Sequence, residues 1–318
     1  MLALYYDGKP ELRTDHPRPR PGRSEVLVEV HKAGICATDL EVAKGYMGFR
    51  GVMGHEFVGT VVAGSRPWKG RRVVAEINCV CGRCELCRRG LSNHCRNRTV
   101  LGINGHDGCF AEFVALPARN LHEVPDTLGD EQAVFAEPLA AALQVARQVK
   151  LTPTNVVVVL GDGRLAQLVG RVLQGRVKRT IMVGHHPEKL EAAEKQGVQT
   201  VLEEDFVPEG NIALVVDATG SPSGFGLAMR TVRPRGTIIL KSTFAADAGL
   251  NLAPLVINEV TVVGSRCGPF PDAIRALADG EVDVSALISA EFPLSKGLAA
   301  LEAARSPRNI KVLLDARR

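Results

Sequence analysis

The stretch Asn155-Val-Val-Val-Val-Leu160-Gly161-Asp-Gly163-Arg-Leu-Ala166 decides the fold of the middle of this chain. Its first six residues form a mostly β-branched apolar run, which is typical of a strand buried on both faces of a parallel sheet. After the glycines, apolar residues recur on one helical face: Leu165, Leu168, Val169, Val172 and Leu173. The stretch therefore predicts a strand, a tight glycine turn and an amphipathic helix.

The glycine turn fits the pattern Gly-x-Gly-x-x-Gly/Ala, with Gly161, Gly163 and Ala166 at the small positions. The first glycine permits the turn, the second lets the backbone approach a pyrophosphate, and the third position allows close packing of helix on strand. The positive end of the helix, where Leu165 also lies, attracts the anion. We therefore predict an NAD or NADP site here; the alternative is a plain strand–helix turn.

Strands and helices continue to alternate after this turn. The sequence predicts strands over residues 180–183, 213–216 and 237–240 and helices over 187–196 and 224–232. Such alternation indicates a doubly wound α/β domain of the Rossmann kind.

An acidic residue that binds the ribose hydroxyls is expected at the end of the second strand of such a domain. That place holds Gly184, His185 and His186, with Lys189 nearby. No carboxylate stands there to repel a 2′-phosphate, and the imidazoles and the ammonium can attract one. We therefore expect a preference for NADP over NAD. The alternative is that both histidines are solvated turn residues.

The first 121 residues have a different pattern, with short strands separated by turns. Strands are predicted over residues 25–30, 57–62, 72–77 and 110–116, which makes an all-β region with long loops. Helix-forming residues follow over 130–150, with Pro138 as the one breaker. Beyond the α/β region we predict a strand over 260–263, a helix over 272–278 and a final strand over 311–314.

Five of the eight cysteines fall between Cys79 and Cys95, in a loop with no apolar periodicity. Within it, thiols recur at short spacing at Cys81, Cys84, Cys87 and Cys95. Tetrahedral zinc needs four thiolates about 2.3 Å from the metal, and one folded loop with such spacing can supply them all. We therefore predict a closed structural zinc (Zn2+) site. The alternative is a disulfide pair or a few buried free thiols.

Two further groups of residues point to a second metal ion. One group contains Cys36, and the other contains His55 and Glu56. An open, catalytic zinc site needs three protein ligands and leaves one position for substrate. Cys36 and His55 are natural ligands, and the third is either Glu56 or Glu137. A glutamate beside a proline in an apolar helix is costly without a partner, which favours Glu137.

The sequence resembles the zinc-containing medium-chain alcohol dehydrogenases, in the branch nearest sorbitol and threonine dehydrogenases. The resemblance covers nearly the whole chain and is carried by motifs in family order: Gly-Ile-Cys36-x-Thr38-Asp39, Gly-His55-Glu56-Phe-Val-Gly59, the Cys81–Cys95 loop, Glu137-Pro138 and Gly161-x-Gly163. It implies a GroES-like β domain over residues 1–137, a Rossmann NAD(P)-binding domain over 138–266, and a return to the first domain over 267–318.

The resemblance also implies roles. Three side chains would hold the catalytic zinc: Cys36, His55 and Glu137. Glu56 would lie close by, able to exchange with water or with Glu137. The Thr38 hydroxyl would pass on the alcohol proton, and Asp39 would hydrogen-bond His55 and fix its tautomer. Further residues would line the nicotinamide: Thr219, Ser242, Ser265 and Arg266.

Three departures from the family pattern leave details open. Glu41 stands where some members carry a relay histidine, and the acidic ribose contact is absent. The chain is also somewhat short, which suggests trimmed loops around the substrate cleft. Because those loops shape the pocket, the resemblance does not name the alcohol.

Length and charge narrow the classes of partner. With 318 residues and a net charge of +4, the chain suits two domains and offers little attraction for nucleic acid. No apolar run approaches the roughly 20 residues of a spanning helix, and the start lacks a signal-peptide pattern. We therefore expect a cytoplasmic protein that binds no membrane. The apolar edge strand at 260–263 predicts a homodimer or homotetramer.

We therefore expect a zinc-dependent oxidoreductase that transfers a hydride between a secondary alcohol or polyol and NAD(P). Two alternatives are open: an aldehyde or ketone reductase of the same family, and a nucleotide-binding family member without turnover. The second alternative predicts loss of metal ligands, whereas Cys36, His55 and Glu137 are all present.

Overall fold

The computed structural model describes residues 1–243, 249 and 251–318. The chain divides into two compact units, one made of Met1–Glu137 with Phe270–Arg318 and the other of Pro138–Pro269. The domain boundaries predicted from the sequence lie after residues 137 and 266.

The first part of the chain forms short strands joined by long loops. Its strands are β1 (Ala3–Tyr6), β2 (Pro10–Arg13), β3 (Glu25–Ile35), β4 (Gly51–Val52), β5 (Glu56–Ala63), β6 (Arg72–Ala75), β7 (Asn78–Cys79), β8 (Thr99–Leu101), β9 (Gly105–His106), β10 (Phe113–Pro117) and β11 (Leu121–Glu123). Its helices are α1 (Ala37–Val42), α2 (Glu85–Arg88) and α3 (Asp130–Ala133).

The second unit alternates strands and helices, as predicted. After α4 (Ala136–Gln148) come β12 (Val156–Leu160), α5 (Arg164–Leu173), β13 (Arg179–Gly184), α6 (Pro187–Glu194), β14 (Gln199–Leu202), β15 (Ile212–Asp217), α7 (Pro222–Thr231), β16 (Val232–Leu240), α8 (Ala253–Ile257) and β17 (Thr261–Gly264). The chain ends with α9 (Phe270–Ala278), β18 (Ile288–Pro293), α10 (Gly297–Arg305) and β19 (Lys311–Asp315). Short 3-10 turns lie at Tyr46–Gly48, Arg66–Trp68, Ser92–His94, Ala118–Asn120, Glu203–Asp205, Ser285–Leu287 and Leu294–Lys296.

The main sheet of the first unit has the strand order β11-β6-β5-β3-β19-β18, with β10 also paired to β3. The long strand β3 runs antiparallel to β5 and to β19. Near its end, Gly34 is opposite Glu56 of β5 on one side and Leu313 of β19 on the other. The C-terminal strand β19 therefore pairs with β3, the strand that Cys36 follows, and β3 alone separates it from β5, which begins at Glu56.

The sheet of the second unit has the order β14-β13-β12-β15-β16-β17, and its pairs are parallel throughout the described residues. The order reverses next to β12, as in a doubly wound fold, and ligands bind at the carboxyl ends of strands at such a point. This sheet and the strand-rich first unit confirm the predicted fold class.

Two local predictions were wrong in detail. The region expected to be all-β contains α1, which begins with a cap: the Asp39 carboxylate accepts a hydrogen bond of 2.7 Å from the backbone N–H of Cys36. The helical stretch over 130–150 is divided into α3 and α4, and the break precedes Pro138. Pro138 lies in the first turn of α4, where a proline removes no intrahelical hydrogen bond.

Candidate active site and metal centres

Four thiols of the Cys79–Cys95 loop converge: Cys81, Cys84, Cys87 and Cys95. The sulfur–sulfur distances are 3.5 Å from Cys84 to Cys87, 3.8 Å from Cys84 to Cys95 and 3.5 Å from Cys95 to Cys81. A tetrahedron with Zn–S bonds of about 2.3 Å has edges of about 3.8 Å. These distances are too long for disulfides, whose sulfurs are about 2 Å apart, and they fit one zinc ion.

The protonation of these thiols also favours a cation. The backbone N–H groups of Arg83 and Cys84 lower the pKa of Cys81 to about 6, despite partial desolvation. In contrast, desolvation and the neighbouring thiols raise the pKa of Cys87 to about 12. Four thiolates this close need a positive charge among them, so a metal ion would bind in exchange for protons.

A second group lies where β3 ends and β5 begins. The ligand atoms of Cys36, His55 and Glu56 all lie within 4.8 Å of one another. Asp39 is buried and contacts two of these residues. One of its carboxylate oxygens accepts a hydrogen bond from the backbone N–H of Cys36, and the other lies 3.0 Å from His55 Nδ1. With Nδ1 bonded to a carboxylate, Nε2 of His55 is left to face a metal.

This arrangement gives His55 an unusual electrostatic environment. Burial lowers the pKa of His55, but the charge and hydrogen bond of Asp39 outweigh burial and raise it well above its ordinary value. A metal ion bound at Nε2 would therefore take the place of a proton on the ring. The donor set of thiol, imidazole and carboxylate suits zinc.

The Glu56 carboxylate has a second partner that the sequence did not reveal. Lys311 of β19 donates a hydrogen bond to Glu56 Oε2, and both side chains are buried, at 2% and 1% exposure. The pair depends on Gly34 between them, because a Cβ at that position would lie 2.5 Å from Glu56 Oε2 and 2.8 Å from Lys311 Cε. A side chain at position 34 would therefore displace the Glu56–Lys311 pair from its present position.

The other predicted catalytic residues are placed differently. Thr38 Oγ1 lies 3.9 Å from the Cys36 sulfur. Glu137 lies in the first turn of α4 and has an interaction of its own, but among the described residues it is not part of the group within 4.8 Å. The structure therefore brings Glu56 to Cys36 and His55.

The predicted nucleotide loop joins β12 to α5. Gly161 has φ of +103°, and a Cβ there would lie 2.9 Å from the carbonyl oxygen of Ala218. Gly163 caps α5, and a Cβ there would meet no described atom within 4 Å, so the backbone is open to an approaching ligand. Ala166 is fully buried, and Leu165 beside it is half-buried. A pyrophosphate loop requires such environments at these three positions, and nucleotide binding here stays a prediction.

Asp162, which the sequence analysis did not single out, connects this loop to the end of β13. Its Oδ2 accepts hydrogen bonds from the backbone N–H groups of His185 (2.7 Å) and His186 (2.8 Å). The same oxygen lies 2.9 Å from His186 Nδ1. A buried carboxylate is thus present at the place where the sequence predicted none.

The residues predicted to line the nicotinamide follow the carboxyl ends of β15, β16 and β17. Asp217 Oδ1 accepts hydrogen bonds from the hydroxyls of Thr219 and Ser242, each at 2.8 Å. Lys241, a buried residue that the sequence analysis missed, donates to Ser265 Oγ at 3.3 Å and to the carbonyl oxygen of Arg266 at 3.2 Å. The predicted residues therefore follow the carboxyl ends of these strands, the edge at which ligands bind in sheets of this kind.

None of the helices in the described ranges is long and apolar enough to cross a membrane.

Both halves of the chain match known protein families. Residues 22–126 match the alcohol dehydrogenase GroES-like domain, and residues 165–280 match the zinc-binding dehydrogenase family. The chain is 30% identical over 293 residues to the starvation-sensing protein RspB of Escherichia coli K12, with 86% of each sequence covered. It is 27% identical over 327 residues to L-threonine 3-dehydrogenase of Proteus mirabilis HI4320, with 95% of each covered.

Solved structures agree with these matches. The alcohol dehydrogenase rspB from Escherichia coli CFT073, in complex with NADH, superimposes with a TM-score of 0.91 at 28% identity and 99% coverage of both chains. A zinc-binding dehydrogenase from Sinorhizobium meliloti 1021, bound to NADP, gives a TM-score of 0.90 at 26% identity, covering 99% of this chain and 98% of the other. The chain therefore belongs to the zinc-binding, medium-chain alcohol dehydrogenase family.

Proposed function

We propose that the protein is a zinc-dependent dehydrogenase that transfers a hydride between a secondary alcohol or polyol and NAD(P). The observation that carries the proposal is the convergence of Cys36, His55 and Glu56 around buried Asp39. The relative named L-threonine 3-dehydrogenase, similar over 95% of both sequences, supports a small hydroxyl-bearing substrate.

The chain's own residues would prepare the reaction in three ways. Asp39 fixes the His55 tautomer and anchors the backbone at Cys36. Thr38, next to the Cys36 sulfur, offers a hydroxyl that can take the substrate proton and pass it on. When bound, zinc would polarise the substrate oxygen and lower the pKa of an alcohol, and the nicotinamide would accept or return the hydride.

We further propose two zinc ions per chain. Cys81, Cys84, Cys87 and Cys95 would hold the structural ion, since four sulfur ligands leave no open position. Cys36, His55 and one carboxylate would hold the catalytic ion, and the proximity of Glu56 supports Glu56 over Glu137 as the third ligand. Closely spaced free thiols are best preserved in a reducing compartment, which supports the cytoplasm as the location.

The edge strand β17 supports a homodimer or homotetramer. It lies at one edge of the parallel sheet, and Val262 on it is exposed. Val256 and Ile257 of the neighbouring helix α8 are exposed as well. Apolar side chains beside the edge strand of a sheet suit a symmetric contact with a second copy.

The proposal is tested by zinc analysis and turnover of the wild type, Cys36→Ser and Cys79→Ser, with secondary alcohols and polyols as substrates. We expect two zinc ions per chain in the wild type and in Cys79→Ser. Cys36→Ser should retain one zinc ion and lose turnover, because it lacks one catalytic ligand. Equal zinc content and turnover in all three proteins would contradict the catalytic zinc site.

A further inference from the structure

The Asp162 carboxylate occupies the space of the acidic side chain that β13 lacks. A Cβ on Gly184, the last residue of β13, would lie 2.6 Å from both Cβ and Oδ2 of Asp162. The carboxylate therefore lies at the end of β13, although it belongs to the glycine loop after β12. A residue with a side chain at position 184 would therefore clash with Asp162 in this position.

The position of Asp162 is held by several contacts. Its Oδ2 accepts hydrogen bonds from the backbone N–H groups of residues 185 and 186 and lies close to His186 Nδ1. Buried Gln167 of α5 donates from Nε2 to the carbonyl oxygens of Asp162 (3.3 Å) and Lys189 (2.7 Å), which ties the loop to α6. Oδ1 has the weaker contact, 3.2 Å to His186 Nδ1, so it retains capacity to accept a hydroxyl proton.

Three of the basic side chains near this position either face an acidic partner or are buried. His185 Nε2 lies 3.2 Å from Glu203 Oε2, and His186 faces Asp162. Lys189 is buried, and desolvation lowers its pKa. Arg164, at the first position of α5, is a remaining cation and has an interaction of its own.

The charge of Asp162 itself persists at neutral pH. Burial raises its pKa, but the hydrogen bonds from the His186 ring and from the backbone N–H groups of His185 and His186 bring it below its ordinary value. A 2′-phosphate placed beside this carboxylate would meet a like charge. A ribose hydroxyl could instead donate to it.

We propose that Asp162 replaces the missing strand-end carboxylate, binds the adenosine ribose hydroxyls and selects NAD against NADP. This inference rests on the proposed nucleotide-binding function and reverses the preference for NADP expected from the sequence. Gly184 then leaves the space that the Asp162 side chain fills. The backbone N–H groups of residues 185 and 186 already donate to the Asp162 carboxylate.

The test is direct calorimetric titration of NAD+ and NADP+ into the zinc-loaded wild type and Asp162→Asn. The asparagine keeps the side-chain shape and an oxygen acceptor but removes the charge. We expect the wild type to bind NAD+ at least about tenfold more tightly than NADP+, and the ratio of the two Kd values to fall about tenfold in Asp162→Asn. Glu204→Gln, an exposed acidic neighbour, should leave the ratio unchanged.

Two further variants guard against a folding defect in Asp162→Asn. Glu203→Gln frees the exposed His185 and should improve NADP+ binding about twofold, since an exposed ion pair contributes little. Asp162→Gly with Gly184→Asp moves the carboxylate to the strand end and should restore NAD+ selectivity. A wild type that prefers NADP+, or an unchanged ratio in folded Asp162→Asn, overturns the inference. Binding of neither nucleotide to the wild type would overturn the proposed function itself.

Discussion

Lys311 and Glu56 form a buried ion pair although they are 255 positions apart in the sequence. Lys311 is the first residue of β19, and Glu56 is the first residue of β5. Both strands pair with β3, whose Gly34 leaves room for the two side chains. The ammonium of Lys311 thereby balances a carboxylate beside the candidate catalytic metal site.

Removing the Lys311 charge should destabilise the fold. In the zinc-free protein, Lys311→Met keeps most of the aliphatic stem but leaves the Glu56 carboxylate buried without its cation, at a cost of about 3–5 kcal/mol in the free energy of unfolding. Denaturant unfolding measures this loss. Lys195→Met, which removes an exposed ion pair with Glu191, is the matched control and should lose less than about 1 kcal/mol.

The double variant Lys311→Met/Glu56→Gln should recover part of that loss, because no unpaired charge remains buried. Similar losses in Lys311→Met and Lys195→Met would show that the buried pair contributes no more than a surface pair.

The two candidate third ligands can be separated by zinc affinity. Loss of a residue that merely orients a metal ligand costs about 10–100-fold in metal affinity, and loss of a ligand should cost at least as much. Glu56→Gln should therefore weaken the catalytic zinc by at least about tenfold in a chelator competition. Glu137→Gln should weaken it less, because Glu137 is outside the 4.8 Å group. The opposite order would support Glu137, the ligand favoured by the sequence.

The four-thiol cluster should contribute to stability rather than to chemistry. Cys84→Ser removes one sulfur ligand, so we expect the protein to lose one zinc ion. We also expect its melting temperature to fall by several degrees, which corresponds to a loss of about 1–3 kcal/mol in the free energy of unfolding for a chain of this size. Cys79→Ser, in the same loop but outside the cluster, is the control. A Cys84→Ser protein with wild-type zinc content and melting temperature would speak against structural zinc.

Asp130 should give the fold a dependence on acid. Its carboxylate lies 2.9 Å from His31 Nδ1, 3.2 Å from Arg72 Nη1 and 3.7 Å from Arg317 Nη2. Burial raises the pKa of Asp130, but these partners outweigh burial and hold it below the ordinary value of 3.8. A depressed folded-state pKa stabilises the fold above the unfolded-state pKa, and this contribution is lost as the pH falls through the folded-state value.

Asp130→Asn should therefore lower the free energy of unfolding by about 1–3 kcal/mol at pH 7. The deficit relative to the wild type should not shrink between pH 7 and pH 5, and it should shrink only below about pH 4. Exposed Asp126→Asn is the control and should show almost no deficit at either pH. A deficit for Asp130→Asn that shrinks between pH 7 and pH 5 would assign the effect to another group.

The sequence by itself determined the features whose information is local. The β-branched run before Gly161 and the helical spacing after it specify a strand, a turn and a helix within a few residues, and the structure has all three. The spacing of Cys81, Cys84 and Cys87 likewise confines the thiols to one short loop. Even the missed helix α1 has a local signal, the cap between Asp39 and Cys36.

Only the tertiary structure decided which charges meet. Asp162 reaches the end of β13 because the parallel register places Leu160 beside Val183. The spacing rule for this fold places an acidic residue on the strand end itself, and it does not predict that a side chain of the glycine loop takes that position. Lys311 reaches Glu56 because β19 pairs with β3. Short-range periodicity fixes backbone conformation, whereas the partners of buried charges depend on strand register between distant segments.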